Sequence, residues 1–121
     1  MASSLVHRRL WLGLGGMLIM VIVWLSLAPP GNAPGVINDK LGHAIAYFAL
    51  SSWFCQLYAR HGRVALAAFI LGSLLELMQG LSGYRDMSFA DLLADTVGIA
   101  LGVSAARRFP TALAWLDLRL T

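Results

Sequence analysis

Four long apolar runs, separated by short polar segments, limit what this chain can fold into. The runs cover residues 10–28, 41–57, 64–81 and 89–106. At about 1.5 Å per helical residue, the first spans roughly 28 Å, and the others reach the lower limit for crossing a bilayer. Charged residues make up only 12% of the chain, about half the usual share in a soluble domain. The pattern predicts a single-domain, all-α integral membrane protein with four transmembrane helices.

The breaks between the runs predict how the helices connect. A proline pair at 29–30 ends the first run, a basic turn at 58–63 ends the second, and an arginine pair at 107–108 ends the fourth. Asn38 or Asp39 is the predicted cap of the second helix. Connections this short join antiparallel neighbours, so we expect an up-and-down bundle.

The two ends of the chain need separate interpretations. The first run also has features of a signal peptide, but its apolar part is too long and a proline would follow a cut after Ala28. A retained helix is therefore the favoured interpretation. The tail at 109–121 is too short to span a membrane. Its alternating charge and Trp115 predict a short C-terminal interfacial helix.

The distribution of basic residues predicts the orientation in the membrane. Seven of the nine lysines and arginines lie near the N-terminus, in the 58–63 turn or near the C-terminus. By the positive-inside rule, both termini of this multi-pass protein are cytoplasmic, in a bacterial cytoplasmic membrane. The net charge of +3 does not indicate nucleic-acid binding, because the basic residues flank apolar runs and form no patch.

This orientation places an unusual set of polar residues on the extracytoplasmic face. Ionisable groups are costly inside a bilayer, so each one is a functional candidate. The candidates for chemistry are His43, Glu76, Asp91 and Asp95. The candidates for binding a ligand or a lipid headgroup are Lys40, Tyr47, Gln79, Arg85 and Ser88.

Glu76 and Gln79 are three residues apart on the third helix and share a face. Glu76 is expected in the outer third of the bilayer, where an unpaired carboxylate is costly. A structural alternative is that Glu76 pairs with Arg85 or reaches headgroup water. The position therefore indicates either a functional carboxyl or an interfacial ion pair.

Asp91 and Asp95 are four residues apart on the fourth helix and share a face. Ser88 followed three residues later by Asp91 matches a capping box, so Asp91 either serves the helix start or belongs to a site. Asp95 lies one turn deeper and has no such structural role. Gly98 and Gly102 continue this face and predict close helix packing.

His43, Tyr47 and Ser51 form a polar stripe on the second helix. A histidine at this depth is either an interfacial anchor or a partner for carboxyl groups, with a capacity to move protons. His43 and the acidic candidates could supply metal ligands, but no short ligand motif accompanies them. The sequence therefore predicts no metal site and no cofactor, and the serines lack the setting of a hydrolase nucleophile.

The order and spacing of these residues resemble the VanZ-like membrane protein family over residues 10–102. The matching motifs are Asp39-Lys40-x-x-His43 with Tyr47 and Leu50-Ser51, Glu76-x-x-Gln79, Arg85-x-x-Ser88-x-x-Asp91, and Gly98-x-x-x-Gly102. Members often have asparagine where this chain has Asp95. The resemblance implies a small polytopic membrane protein. The name-giving member is linked to low-level teicoplanin resistance, but no reaction follows from the resemblance.

Three functions remain open at this point. The site can bind or modify an anionic lipid or a lipid-linked cell-envelope intermediate, with membrane lipids as partners. The chain can instead be a proton-coupled small transporter or efflux subunit. Its polar residues can also serve helix association in a homo-oligomer or with a membrane partner protein. Whether the protein is an enzyme is not decided by its residues.

Overall fold

The computed structural model describes residues 5–28, 36–83 and 88–121, and their side chains except at 36–39. Within these residues the chain forms five helices and no strand. The helices are α1 (Arg8–Leu27), α2 (Val36–Leu57), α3 (His61–Leu81), α4 (Phe89–Arg108) and α5 (Ala112–Arg119). The all-α prediction is confirmed. The predicted helix in the C-terminal tail is α5.

The ends of α1 and α3 follow local backbone preferences, whereas the start of α2 differs from the prediction. Ala28, which follows α1, is extended with φ −65° and ψ 147°, as expected for a residue that precedes proline. Gly83, just beyond α3, has φ 85°, a conformation that glycine adopts without a steric cost. The predicted cap at Asn38 or Asp39 is wrong, because the helical backbone of α2 already includes both residues.

Three helices, α1, α3 and α4, are long and apolar enough by length and composition to cross a membrane. The expectation of four such helices is therefore corrected to three among the described residues. The exception is α2, which has 22 residues and is long enough. Its polar side chains, which include Lys40, His43 and Gln56, make α2 less apolar than the other three helices.

Contacts between helix ends establish the relative directions of the helices. Gln79, near the end of α3, donates to the carbonyl of Ser26, near the end of α1, at 2.8 Å. Arg8 at the start of α1 donates to the carbonyl of Leu57 at the end of α2, at 3.0 Å. We call the end where α2 and α4 begin the acidic end. The opposite end, where α1 and α3 begin, is the arginine end.

The most extensive helix contact joins α2 and α4, which run in the same direction. A Cβ on Gly98 would overlap the carbonyl of Ala44, and one on Gly102 would overlap the hydroxyl of Ser51. The Ser51 hydroxyl also approaches the carbonyl of Ile99 on α4 at 3.3 Å. The two backbones therefore touch, and the packing role predicted for these glycines is confirmed.

Two buried apolar clusters lie along the bundle. The larger one joins α1 to α4 and is formed by Ile22, Tyr47, Leu50, Ala68, Leu75 and Ile99. The smaller one lies at the arginine end and is formed by Trp11, Leu57 and Leu113. Because Leu113 belongs to α5, the smaller cluster packs α5 against the ends of α1 and α2.

Candidate functional site

The acidic end brings ionisable side chains from α2 and α4 into contact. Lys40, in the second turn of α2, forms a salt bridge with Asp91 in the first turn of α4. The Lys40 side chain is 32% exposed, whereas that of Asp91 is 10% exposed. Lys40 therefore forms the rim of the site, with Asp91 below it.

His43 lies one turn below Lys40 and connects the two aspartates of α4. Its Nδ1 is 2.7 Å from Oδ1 of Asp95, which is a hydrogen bond. Its Nε2 is 3.8 Å from Oδ2 of Asp91, which is longer than a hydrogen bond. Asp95 is almost fully buried, at 1% exposure. The imidazole is therefore fixed at Nδ1 by a buried carboxyl, while Nε2 faces the rim side.

Glu76 performs part of the helix capping that the sequence assigned to Asp91. The backbone N–H of Ser88 donates to Oε1 of Glu76 at 2.5 Å. The hydroxyl of Ser88 accepts from the backbone N–H of Asp91 at 3.3 Å. In a complete capping box the third residue of the helix would return a side chain to the cap N–H. Here Glu76 takes that position, so the Asp91 carboxyl is used for Lys40 instead.

Tyr47 and Asp95 meet at a glycine of α3. A Cβ on Gly72 would lie 2.9 Å from Oδ2 of Asp95 and 3.3–3.4 Å from the Tyr47 ring. The absence of a side chain at Gly72 thus makes room for both. Sequence analysis did not single out Gly72, since a glycine in an apolar helix gives no local sign of its neighbours.

One other candidate, Gln79, makes its hydrogen bond away from this cluster. Gln79 donates to the carbonyl of Ser26, so its amide joins α3 to α1. Arg85 lies outside the described residues. The candidates that the structure brings together are Lys40, His43, Tyr47, Glu76, Ser88, Asp91 and Asp95.

The described cluster contains three carboxyls, one lysine and one histidine. Glu76 lies within electrostatic range of Asp91, Asp95 and His43. Among the described residues, no three His, Cys, Asp or Glu side chains are arranged to hold a metal ion. The chemistry that the cluster itself offers is proton exchange and hydrogen bonding.

A fourth buried carboxyl among the described residues, which sequence analysis missed, lies at the arginine end. Asp117 of α5 is 2% exposed and accepts hydrogen bonds from the N–H groups of Val6 and His7 at 2.7 and 3.0 Å. The His7 ring and the Trp11 indole lie 2.9 and 2.8 Å from its Oδ1. His7, the cap residue of α1, makes no side-chain cap bond. Asp117 therefore ties the start of α1 to α5.

These donors explain the acidity of Asp117. Burial alone would raise the pKa of its carboxyl. The hydrogen bonds from Trp11, Val6 and His7 outweigh burial and lower the pKa to about 2. The only signal in the sequence was a single aspartate in a short amphipathic tail. That signal does not identify a partner more than a hundred residues away.

No family model matches the chain, and neither a curated protein nor a solved structure matches it. The resemblance to the VanZ-like family therefore depends on the sequence motifs alone.

Proposed function

We propose that the chain is a small multi-pass protein of the bacterial cytoplasmic membrane, related to the VanZ-like family. In this proposal the arginine end is cytoplasmic and the acidic end is extracytoplasmic. Three apolar helices support membrane insertion. Seven of the nine lysines and arginines belong to segments at the arginine end, which supports this orientation under the positive-inside rule.

The proposal treats α2 as a fourth membrane-embedded helix. Its polar stripe contacts α4, so those side chains need not meet lipid tails. Its exposed side chains include Leu41, Ile45 and Phe48, which are apolar. A helix that turns polar groups inward and apolar groups outward suits a membrane bundle, even when its overall composition is moderately polar.

For the acidic end, we propose a site that binds or modifies the headgroup of an anionic lipid or a lipid-linked cell-envelope intermediate. The observation that carries this proposal is the placement of His43 between two aspartates, with Lys40 above it at the rim. Lys40 would attract a phosphate. The carboxyls below it would accept hydrogen bonds from headgroup hydroxyls.

The proton chemistry in this proposal belongs to His43. Its Nδ1 is engaged by Asp95, so Nε2 is the nitrogen that would take a proton from a headgroup hydroxyl. Asp95 would then stabilise the imidazolium, as a buried carboxylate does when it orients a catalytic histidine. No side chain is assigned as a nucleophile.

The test is retention of a polyprenyl phosphate by the purified protein in native mass spectrometry. Lys40→Gln should weaken retention by about fivefold, the effect of one cation near a charged headgroup. Arg108→Gln removes the same charge at the opposite end and should leave retention unchanged. Equal retention by wild type and both variants would contradict the headgroup site.

Proton-coupled transport is the second candidate. The observation that favours it is the gradient of side-chain exposure, from 32% at Lys40 through 14% at His43 to 2% at Asp95. Such a series leads proton-exchanging groups from the rim into the bundle. Proteoliposomes should then show a proton flux that Asp95→Asn abolishes and Arg108→Gln preserves. A flux that is absent in wild type would refute this candidate.

A further inference from the structure

A cleft between α1, α2 and α3 lies at the arginine end, away from the site described above. It has a volume of about 540 Å³, within the roughly 300–1,000 Å³ of ligand pockets. Its walls are almost entirely apolar and include Ile19, Leu50, Phe54, Val64, Ala68 and Leu71. Its mouth is lined by Tyr58, Arg60 and Arg63.

The length of the cleft matches the depth of one membrane leaflet. Along α3 and its N-cap residue, the lining extends from Arg60 to Leu71, which is about 16 Å at 1.5 Å per residue. The hydrocarbon core of a bilayer is about 30 Å thick, so one leaflet contributes about half of that. An acyl chain that enters at the arginine end would therefore lie along the cleft for most of its depth.

The mouth of the cleft is positively charged. Arg60 and Arg63 are both exposed, and no described carboxylate forms a salt bridge with either. Arg8 adds a third guanidinium, 5.3 Å from the centre of the Tyr58 ring. In addition, α3 begins here with no side-chain cap and no acidic residue in its first turn, so its dipole also favours an anion.

We infer that this cleft binds one anionic phospholipid from the leaflet at the arginine end. The phosphate lies between Arg60 and Arg63, and one acyl chain packs along Val64, Ala67 and Leu71. A peptide is a poorer occupant, because the apolar walls offer few partners for its backbone N–H and C=O groups. This lipid site shares no residue with the acidic end and does not depend on the function proposed there.

The experiment counts phosphatidylglycerol molecules retained by the full chain in native mass spectrometry after extraction from vesicles. Wild type should retain one molecule that phosphatidylcholine replaces poorly. The double variant R60Q/R63Q should weaken retention about 30-fold, through the loss of two cations near the phosphate. The matched control R107Q/R108Q removes the same charge at the same end, outside the cleft, and should retain the lipid.

A second variant tests the apolar part of the site. Ala67→Phe fills the cleft without changing charge and should abolish retention of phosphatidylglycerol, while Ala114→Phe on α5 should not. Glycerol phosphate, which has no acyl chain, should not compete. Equal retention by the R60Q/R63Q and R107Q/R108Q variants would overturn the inference, as would retention by Ala67→Phe.

A photoactivatable acyl chain on phosphatidylglycerol provides a test in the wild-type protein, where misfolding of a variant is not a concern. Crosslinks should concentrate on the cleft-lining residues among 50–71, such as Phe54, Val64 and Leu71. Labelling spread evenly over the exposed apolar faces of α1, α3 and α4 would also overturn the inference. Because Lys40→Gln does not touch this cleft, that variant should retain phosphatidylglycerol even if its polyprenyl phosphate retention falls.

Discussion

Asp95 at the acidic end and Asp117 at the arginine end are almost equally buried, at 1% and 2% exposure, but their surroundings differ. Asp117 accepts hydrogen bonds from two backbone N–H groups and an indole, with the His7 ring beside them. Asp95 is bonded to an ionisable ring. Asp95 and Glu76 both lie close enough to Tyr47 to interact electrostatically with its hydroxyl group.

The difference shows that burial alone does not distinguish a structural carboxyl from a functional one. Asp117 is bonded by two backbone amides and an indole, which keep one protonation state, and by one ionisable group, the His7 ring. The three donors of fixed protonation state are enough to join α1 to α5. At the acidic end Asp95 is bonded to His43, and His43 also lies 3.8 Å from Asp91, so the neighbouring groups are themselves ionisable. The contrast supports a structural role for Asp117, whereas a chemical role for Asp95 stays a prediction.

The largest expected effect is that of Asp117→Asn on the arginine end. The amide keeps the size of the side chain but presents N–H groups to donors that need an acceptor, so α5 should detach. Trypsin should then cleave after Arg107 and Arg108 faster than in wild type. Leu118→Asn, at an exposed position of α5, is the matched control and should not accelerate cleavage. An unchanged rate of trypsin cleavage in Asp117→Asn would contradict the structural role of Asp117 in holding α5.

Acid should reproduce this effect more weakly. The pKa of Asp117 is lowered from 3.8 to about 2 on folding. A lowered pKa means that the ionised form stabilises the fold, fully above about pH 4 and progressively less as the pH falls toward 2. Hydrogen exchange at the amides of Val6 and His7 should accelerate over this range, beyond the intrinsic rate. If protection is constant down to pH 2, the carboxylate does not hold the start of α1.

An intermediate effect is expected for Glu76 at the acidic end. Glu76→Leu removes the acceptor for the Ser88 N–H and should lower the free energy of unfolding by about 1.5–3 kcal/mol. Glu76→Gln keeps a carbonyl acceptor and should cost less than about 1 kcal/mol. Equilibrium unfolding in mixed micelles measures both.

Ser73→Leu, three residues earlier on α3, is the control, since its hydroxyl bonds only within its own helix. If the Glu76→Gln variant retains stability but loses lipid retention or proton flux, Glu76 is a functional carboxyl, as we propose for Asp95. If the variant retains both stability and function, Glu76 is a structural carboxyl like Asp117.

The smallest effect on stability is expected for Gly72→Ala. The added Cβ would lie 2.9 Å from Oδ2 of Asp95, so that carboxyl must shift and its bond to His43 should weaken. The gain in helix propensity, up to about 1 kcal/mol, offsets this cost. The ¹⁵N chemical shifts of the His43 ring should change while stability stays nearly constant.

Gly16→Ala is the matched control, because nothing lies within 4 Å of its new Cβ. It should increase stability by about 0.5–1 kcal/mol and leave the His43 shifts unaltered. Unchanged His43 shifts in Gly72→Ala would contradict the geometry of the Asp95 pair.

Much of the fold could be predicted because its signals are local. The apolar runs located all four long helices, and the Ser88 cap located the start of α4, since helix propensity and capping act within a few residues. The start of α2 was predicted too late because Asn38 and Asp39 are also compatible with a helix interior. Only three of the four predicted membrane-crossing helices are apolar enough by composition, because run length was given more weight than the polar side chains of α2.

The candidate site could be predicted only as a set of residues near one end of the bundle. The i, i+4 spacing placed Asp91 and Asp95 on one face, and the up-and-down topology brought His43 and Lys40 to the same end. Which side chains pair could not be predicted. Pairing depends on how each helix is rotated about its axis, and distant packing contacts determine that rotation.

The sequence by itself determined that this chain is helical, apolar enough to enter a membrane and acidic near one end of its bundle. Tertiary structure decided which acidic side chain contacts which partner. Contact of α2 with Gly98 and Gly102 brings α2 against α4, which directs His43 to Asp95 and Lys40 to Asp91. Packing of α3 beside the start of α4 lets Glu76 cap α4. The cap requires only that a carboxylate oxygen lie within hydrogen-bond distance of the Ser88 N–H, whichever helix supplies it.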